Sequence, residues 1–153
     1  MKGETSHSAS RRAPSRRLLH GVAVVALFTA LTALLAYPLS LDPGRLGFDL
    51  GADTRLFVWT LAWDTHAIMQ QPLSLFDANI FYPEGLTLAY SEHQLGSALL
   101  ASPWLAAGGN PLLAMNLVLL FSCIGAGAGT YYLARRLGTG PLGAVAAGII
   151  FAF

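Results

Sequence analysis

The sequence predicts an all-α membrane protein, a polytopic helical bundle with a large extracytoplasmic first loop that carries an interfacial helix. Composition is the first observation: 54% of the 153 residues are hydrophobic and only 11% are charged, whereas soluble domains carry roughly 25% charged residues. The second is charge segregation. Five of the nine basic residues precede the first long apolar run, and seven of the eight acidic residues lie between positions 42 and 92. The third is a series of apolar runs separated by polar turns, typical of repeated membrane crossing.

Residues 1–17 are predicted to form a basic cytoplasmic N-terminus, and residues 18–41 the first transmembrane helix. About 20 apolar residues cross the hydrocarbon core of a bilayer, and basic residues before a span hold that end in the cytoplasm. A cleaved signal peptide is the alternative, but the apolar run exceeds the roughly 7–15 residues of a signal core. We therefore expect a multi-pass protein of the cell inner (plasma) membrane with a cytoplasmic N-terminus.

Three further apolar segments follow an extracytoplasmic loop over residues 42–86. They predict transmembrane helices over 87–107, over 111–133 and, truncated, over 141–153. The first of these segments either crosses the membrane or re-enters, because polar residues interrupt its start. The last segment covers only about 20 Å as a helix, short of the roughly 30 Å hydrocarbon core. We therefore expect either a truncated protein or the N-terminal portion of a longer one, whose remaining transmembrane helices complete the bundle.

An amphipathic helix is predicted at about 53–70 within the first loop, ended by Pro72. At 100° per residue, Asp53, Thr60 and Asp64 fall within about 40° of one another on this helix. Such a helix fits a position along the membrane interface, with its acidic line turned towards a cleft. Alternatively, Asp53 caps the helix N-terminus, which is compatible with a functional role, and Asp64 is solvated. For Asp64 we expect the solvated state.

Glu92 and His93 open the second apolar segment, shortly after Tyr90. An ionisable residue at the edge of a membrane segment is a functional candidate, although at a helix end it also reaches water. Carboxylates and imidazole suit a divalent cation such as Mg²⁺, Mn²⁺ or Zn²⁺, but no short-range spacing here is diagnostic. The cofactor is therefore left open, with a divalent cation as the candidate. Because the sequence contains no basic groove, we expect no nucleic-acid partner.

The order of these features resembles the start of integral-membrane glycosyltransferases of the C superfamily, which use polyprenyl-phosphate sugars; protein O-mannosyltransferases are the similar type. The resemblance rests on the basic N-terminus, one span, a large acidic first loop, and the segments NIFYP (79–83) and LAYSEHQLG (88–96). The segment LARRLGTGPLGAVAAGIIFAF (133–153) also resembles the tight external turn between the third and fourth helices of bacterial members. By this resemblance, the second apolar segment crosses the membrane fully.

The resemblance implies that an acidic residue in the first external loop is the catalytic base or a metal ligand. The matching position is Asp53, with Asp49 as runner-up, and a strict Asp-x-Asp pair is absent. From their position alone, Glu92, His93 and Tyr90 are candidate substrate-binding residues. The implied partners are membrane lipid and a polyprenyl-phosphate sugar, which is transferred to an acceptor at the extracytoplasmic face.

Two other classes of function are kept open. A transporter or flippase component would use Glu92 and His93 in a proton relay, but transporter sites usually lie near the bilayer midplane, and these residues lie at a helix mouth. A non-enzymatic membrane scaffold would be indifferent to Asp53→Asn and would lose assembly on changes to the loop surface. We rank the glycosyltransferase first and expect its activity from the full-length protein, not from this portion alone.

Overall fold

A computed structural model describes residues 14–47 and 51–153. In this part of the chain all regular secondary structure is helical and no strand occurs, as predicted. A 3₁₀ turn, Thr87–Tyr90, lies between the second and third α-helices. The α-helices are α1 (Pro14–Leu35), α2 (Ala52–Gln70), α3 (Leu95–Ala106), α4 (Pro111–Arg136) and α5 (Pro141–Ala152).

Two of the described helices are long and apolar enough to cross a membrane, by length and composition. They are α4 and the Leu18–Leu35 stretch of α1. The apolar helices α3 and α5 have 12 residues each, about 18 Å, which is shorter than a hydrocarbon core of about 30 Å. Two such helices are a modest indication of membrane association, because signal sequences and buried helices of soluble proteins meet the same criterion.

The first helix ends at Leu35, whereas the first span was predicted to continue to position 41. A residue that precedes a proline is disfavoured in the α conformation, and Pro38 follows the helix closely. The chain turns here, and the Ser40 hydroxyl donates a hydrogen bond to the Ala33 carbonyl at 2.7 Å. This bond gives a partner to a carbonyl that the helix end would otherwise leave unpaired.

Residues 87–107 do not form the single continuous helix that was predicted. The 3₁₀ turn is followed by Ser91 in an extended conformation, and α3 begins only at Leu95. The reason lies in α2: the backbone N–H of Gln94 and the side chain of His93 both bond to Asp64. Because the Gln94 N–H donates to Asp64, it is not available for a helical hydrogen bond to a carbonyl four residues earlier. Helix α3 therefore does not extend further towards the N-terminus.

The fourth helix begins where the sequence predicts, because Asn110 and Pro111 form a strong start signal. The Asn110 Oδ1 accepts hydrogen bonds from the backbone N–H groups of Leu112 and Leu113, at 2.9 and 3.3 Å. The Nδ2 of the same side chain donates to the Gly44 carbonyl at 2.8 Å. One asparagine therefore caps α4 and holds the segment that leaves α1.

A second asparagine one turn and a half further along α4 fixes the same segment. Asn116 is buried, and its Nδ2 donates to the carbonyls of Pro43 and Leu46, at 2.7 and 2.8 Å. A buried amide side chain needs hydrogen-bond partners, and these two carbonyls supply them here. Residues 43–46 are therefore tied to the N-terminal third of α4.

Two apolar clusters form the core of the described residues. One joins α1, α4 and α5, and the other joins α2, α3 and α4. Gly127 and Gly148 face the Phe28 ring so closely that a Cβ on either would overlap it. Glycine therefore lets the three helices approach each other around one buried aromatic side chain. The members are Val24, Phe28, Ala128, Tyr131 and Ala144 in the first cluster, and Leu61, Ala98, Ala101 and Ala114 in the second.

Candidate functional site

A buried carboxylate joins α2 to the chain segment that leads into α3. Asp64 is 0% exposed; its Oδ1 lies 3.2 Å from His93 Nδ1, and its Oδ2 accepts the Gln94 N–H at 3.0 Å. A carboxylate in this position accepts only, so His93 donates from Nδ1 and its Nε2 is left for another partner. We refer to Asp64, His93 and Gln94 as the Asp64 clasp.

Other contacts around the clasp fix the imidazole and the amide. The Gln94 Nε2 donates to the Phe57 carbonyl at 3.4 Å, and the Phe76 ring meets the His93 ring edge-on, with centroids 4.5 Å apart. The His93 Nε2 is buried and has no hydrogen-bond partner. The clasp therefore holds the segment that follows the 3₁₀ turn firmly against α2.

The segment between α2 and the 3₁₀ turn is shaped by one surface carboxylate and two residues with positive φ. The Asp77 Oδ1 accepts the Leu86 N–H at 2.8 Å, and the Leu88 N–H donates to the Phe76 carbonyl at 3.1 Å. Phe81 and Leu86 have φ of 58° and 56°. Such left-handed backbone is unfavourable for residues other than glycine, so these contacts hold a strained turn in place.

A cleft of about 870 Å³ lies between α2 and this segment. We call it the loop cleft. Its α2 wall includes a cation and an indole ring, and its opposite wall includes a carboxylate, a phenol and a hydroxyl. These side chains are Arg55, Leu56 and Trp59 on α2, and Glu84, Thr87 and Tyr90 on the other wall. The loop cleft therefore combines charged, hydroxyl and aromatic groups, as small-molecule sites do.

Asp53, the predicted catalytic residue, lies exposed in the first turn of α2. The predicted alternative that it caps the helix is wrong, because Gly51 occupies the N-cap position. Asp53 does not line the loop cleft: at 100° per residue it lies about 60° from Leu56 around α2, but about 160° from Arg55 and about 120° from Trp59. The runner-up, Asp49, lies outside the described residues.

The expectation that Asp64 is solvated is also wrong, since its side chain is completely buried. Glu92, by contrast, is exposed, and the carboxylate that contacts His93 is that of Asp64. Tyr90 is 90% exposed and lines the loop cleft. Of the three candidate substrate-binding residues, Tyr90 is therefore at the cleft and His93 belongs to the clasp.

Distance along α2 separates the clasp from the predicted catalytic residue. Asp53 and Asp64 are eleven positions apart in one helix, which corresponds to about 16 Å along its axis. The two carboxylates therefore cannot contact the same reacting bond. The loop cleft is lined by residues of the N-terminal half of α2, so Asp53 is the nearer of the two along the helix axis, although it is not one of the lining residues.

Metal binding is not indicated by the residues that the structure describes. Among them, no three side chains of histidine, cysteine, aspartate or glutamate come together in a group that could hold a metal ion. A divalent cation therefore stays a candidate only.

Comparisons with known proteins add no family to this picture. Neither the family models, nor the curated proteins, nor the solved structures include a match to this chain. The relation to membrane glycosyltransferases therefore stays a prediction from the sequence.

Proposed function

We propose that the protein is part of a membrane glycosyltransferase that moves a sugar from a polyprenyl-phosphate donor to an acceptor at the extracytoplasmic face. The observation that carries this proposal is the loop cleft, which combines Arg55, Glu84 and aromatic side chains; Asp53 is exposed on the same helix, α2, but does not line the cleft. A cation suits a phosphate, and a carboxylate suits sugar hydroxyl groups. The segregated charges support an external loop, a cytoplasmic N-terminus and several crossings of the plasma membrane.

In this mechanism the acceptor hydroxyl oxygen attacks the anomeric carbon of the donor sugar. The new glycosidic C–O bond forms as the bond from that carbon to the phosphate oxygen breaks, and the bonding electron pair leaves with the lipid phosphate. Asp53 accepts the hydroxyl proton, which requires the carboxylate to lie within hydrogen-bond reach of the acceptor. Arg55 offsets the negative charge of the departing phosphate. No covalent enzyme intermediate is required.

The Asp64 clasp supports this chemistry without touching the reacting atoms. Thr87 and Tyr90 reach the loop cleft from the segment that the clasp holds against α2. Catalysis by positioned groups depends on a rigid arrangement of the chain that carries them. In this proposal His93 and Asp64 are positioning residues, and Glu92 has no assigned role.

The test uses the protein expressed from its own gene in its native membrane. Glycan and glycolipid profiles are compared between wild type, Asp53→Asn and the control Asp42→Asn at matched protein levels. Asp42 is also an acidic residue of this loop, and it forms a surface ion pair with Arg45 at 3.9 Å. We expect Asp53→Asn to remove one glycan or glycolipid species and Asp42→Asn to leave the profile unchanged. An unchanged profile in a folded Asp53→Asn protein would refute the transferase role of Asp53.

A further inference from the structure

We infer that the loop cleft binds the sugar-phosphate headgroup of the donor, with Arg55 on the phosphate and Thr87 on a sugar hydroxyl. This inference rests on the proposed function and assigns its donor site. It depends on three observations within the described residues: a buried hydroxyl with no partner among them, a cation with no salt bridge among them, and an indole ring held in a fixed orientation.

The hydroxyl of Thr87 is the most direct sign of a ligand. Thr87 is only 6% exposed, lines the loop cleft, and its Oγ1 has no hydrogen-bond partner. A buried hydroxyl without a partner is unfavourable, so such a group calls for a ligand or water to complete it. Thr87 follows the strained Leu86, whose N–H is held by Asp77. The chain therefore holds this hydroxyl in the cleft wall at a cost in backbone strain.

The two charged residues of the cleft suit the two ends of a sugar phosphate. Arg55 and Glu84 line opposite walls, and neither takes part in a salt bridge within the described residues. A guanidinium group binds phosphate through paired N–H donors. A carboxylate accepts hydrogen bonds from neutral hydroxyl groups. A ligand with an anionic end and a hydroxyl-rich end therefore satisfies both residues.

The indole of Trp59 supplies an apolar wall for the sugar ring. Its ring stacks on Trp63, with centroids 6.1 Å apart and an angle of 19° between the planes. This contact restricts the orientation of Trp59 before any ligand enters, which lowers the entropic cost of binding. The cleft volume of about 870 Å³ also lies within the roughly 300–1,000 Å³ of small-molecule sites.

The experiment measures binding directly, separately from sugar transfer. Mannose 1-phosphate is titrated into the purified full chain in lipid nanodiscs, and tryptophan fluorescence is recorded. We expect a saturable change that Arg55→Gln and Thr87→Val each weaken by tenfold or more, while Thr87→Ser retains binding. The matched controls are Arg45→Gln and Thr60→Val, which should stay within twofold of wild type. Thr60 is also buried with an unpartnered Oγ1 but does not line the cleft.

Two comparisons and one folding control complete the binding experiment. Free mannose should bind more weakly than its phosphate, and Arg55→Gln should remove that difference. Circular dichroism verifies that Thr87→Val is folded. A titration that does not saturate in the millimolar range, or equal weakening by the control variants, overturns the inference.

The donor site and the transferase can fail separately. Binding that depends on Thr87, together with a glycan profile that Asp53→Asn leaves unchanged, would support the site and refute the transferase role of Asp53. A profile that depends on Asp53, together with no binding of the sugar phosphate in the cleft, would keep the transferase and refute the site.

Discussion

Removing the carboxylate of the Asp64 clasp should release the segment before α3 from α2. Asp64→Ala leaves His93 Nδ1 and the Gln94 N–H without the acceptor they now reach at 3.2 and 3.0 Å. Both donors are in a site where Asp64 itself is fully buried, so water does not replace the lost acceptor without further opening.

The size of the effect follows from the kind of contact that is lost. Hydrogen bonds to a charged group contribute about 1.5–3 kcal/mol each. Asp64→Ala removes two such bonds, so we expect it to destabilise the clasp by about 3–5 kcal/mol. Asp64→Asn keeps the shape and one acceptor oxygen, so its cost should be about 1–3 kcal/mol.

Amide hydrogen exchange at Gln94 measures this release at the bond itself. Each 1.4 kcal/mol corresponds to a factor of about ten in the opening equilibrium, so Asp64→Ala should accelerate exchange roughly a hundredfold or more, up to the rate of an open amide. Mass spectrometry of the intact chain in detergent micelles, followed by digestion into short peptides, provides the measurement.

The control is Asp42→Ala, which removes a surface carboxylate whose pair with Arg45 is 3.9 Å long. Exposed ion pairs contribute little, so exchange at Gln94 should not change. If Asp64→Ala accelerates that exchange less than threefold, the clasp does not hold the segment and our account of the loop cleft is wrong.

Three further substitutions test the packing of the helices. For each variant, unfolding is monitored by the reaction of Cys123, the only cysteine of the chain, with a thiol reagent as the temperature is raised. Asn116→Ala should destabilise the fold by about 2–4 kcal/mol, because two backbone carbonyls lose their buried donor; an unchanged transition would mean that water replaces the amide. Gly127→Ala should cost about 1–3 kcal/mol through overlap with Phe28, and Phe28→Leu in the same chain should recover part of it. Tyr131→Phe removes the hydroxyl that lies 3.0 Å from His20 Nε2 and should cost about 0.5–1.5 kcal/mol; a stabilised variant would contradict a favourable bond.

Helices were predictable wherever local signals agree with each other. The start of α4 could be identified from Asn110 and Pro111, because a cap and a first-turn proline act within one helical turn. The helix predicted at about 53–70 corresponds to α2 because Pro72 excludes a longer helix, although its N-cap is Gly51 and not the predicted Asp53. These features depend on neighbouring residues only, and the sequence displays them directly.

The Asp64 clasp could not be predicted in the same way, because it joins residues that lie about thirty positions apart. One local signal was nevertheless present. Leu61 and Ile68 flank Asp64 on the same face of α2, at the spacing of one helical turn, and both pack in the second apolar cluster. A carboxylate between two such neighbours is expected to face the core, so burial of Asp64 could have been inferred although its partner could not.

The start of α3 could not be predicted from the local sequence. Apolar content from Leu86 onward suggests one long helix, and hydropathy averages over the polar residues that interrupt it. The N-terminal end of α3 is instead determined by hydrogen bonds from Gln94 to α2. A hydropathy average over neighbouring residues cannot detect such bonds. Tertiary contacts therefore override local preference at the point where the loop cleft is built.

The Phe28 ring and its two facing glycines also constrain the order in which the protein assembles. α1 is synthesised first, yet the recess that receives Phe28 is shared between Gly127 of α4 and Gly148 of α5. The recess is complete only after α4 and α5 have paired. The Phe28 side chain of α1 therefore has no recess to enter until both later helices have been synthesised. The first of these three helices to be synthesised thus reaches its final packing only after the last of them has formed.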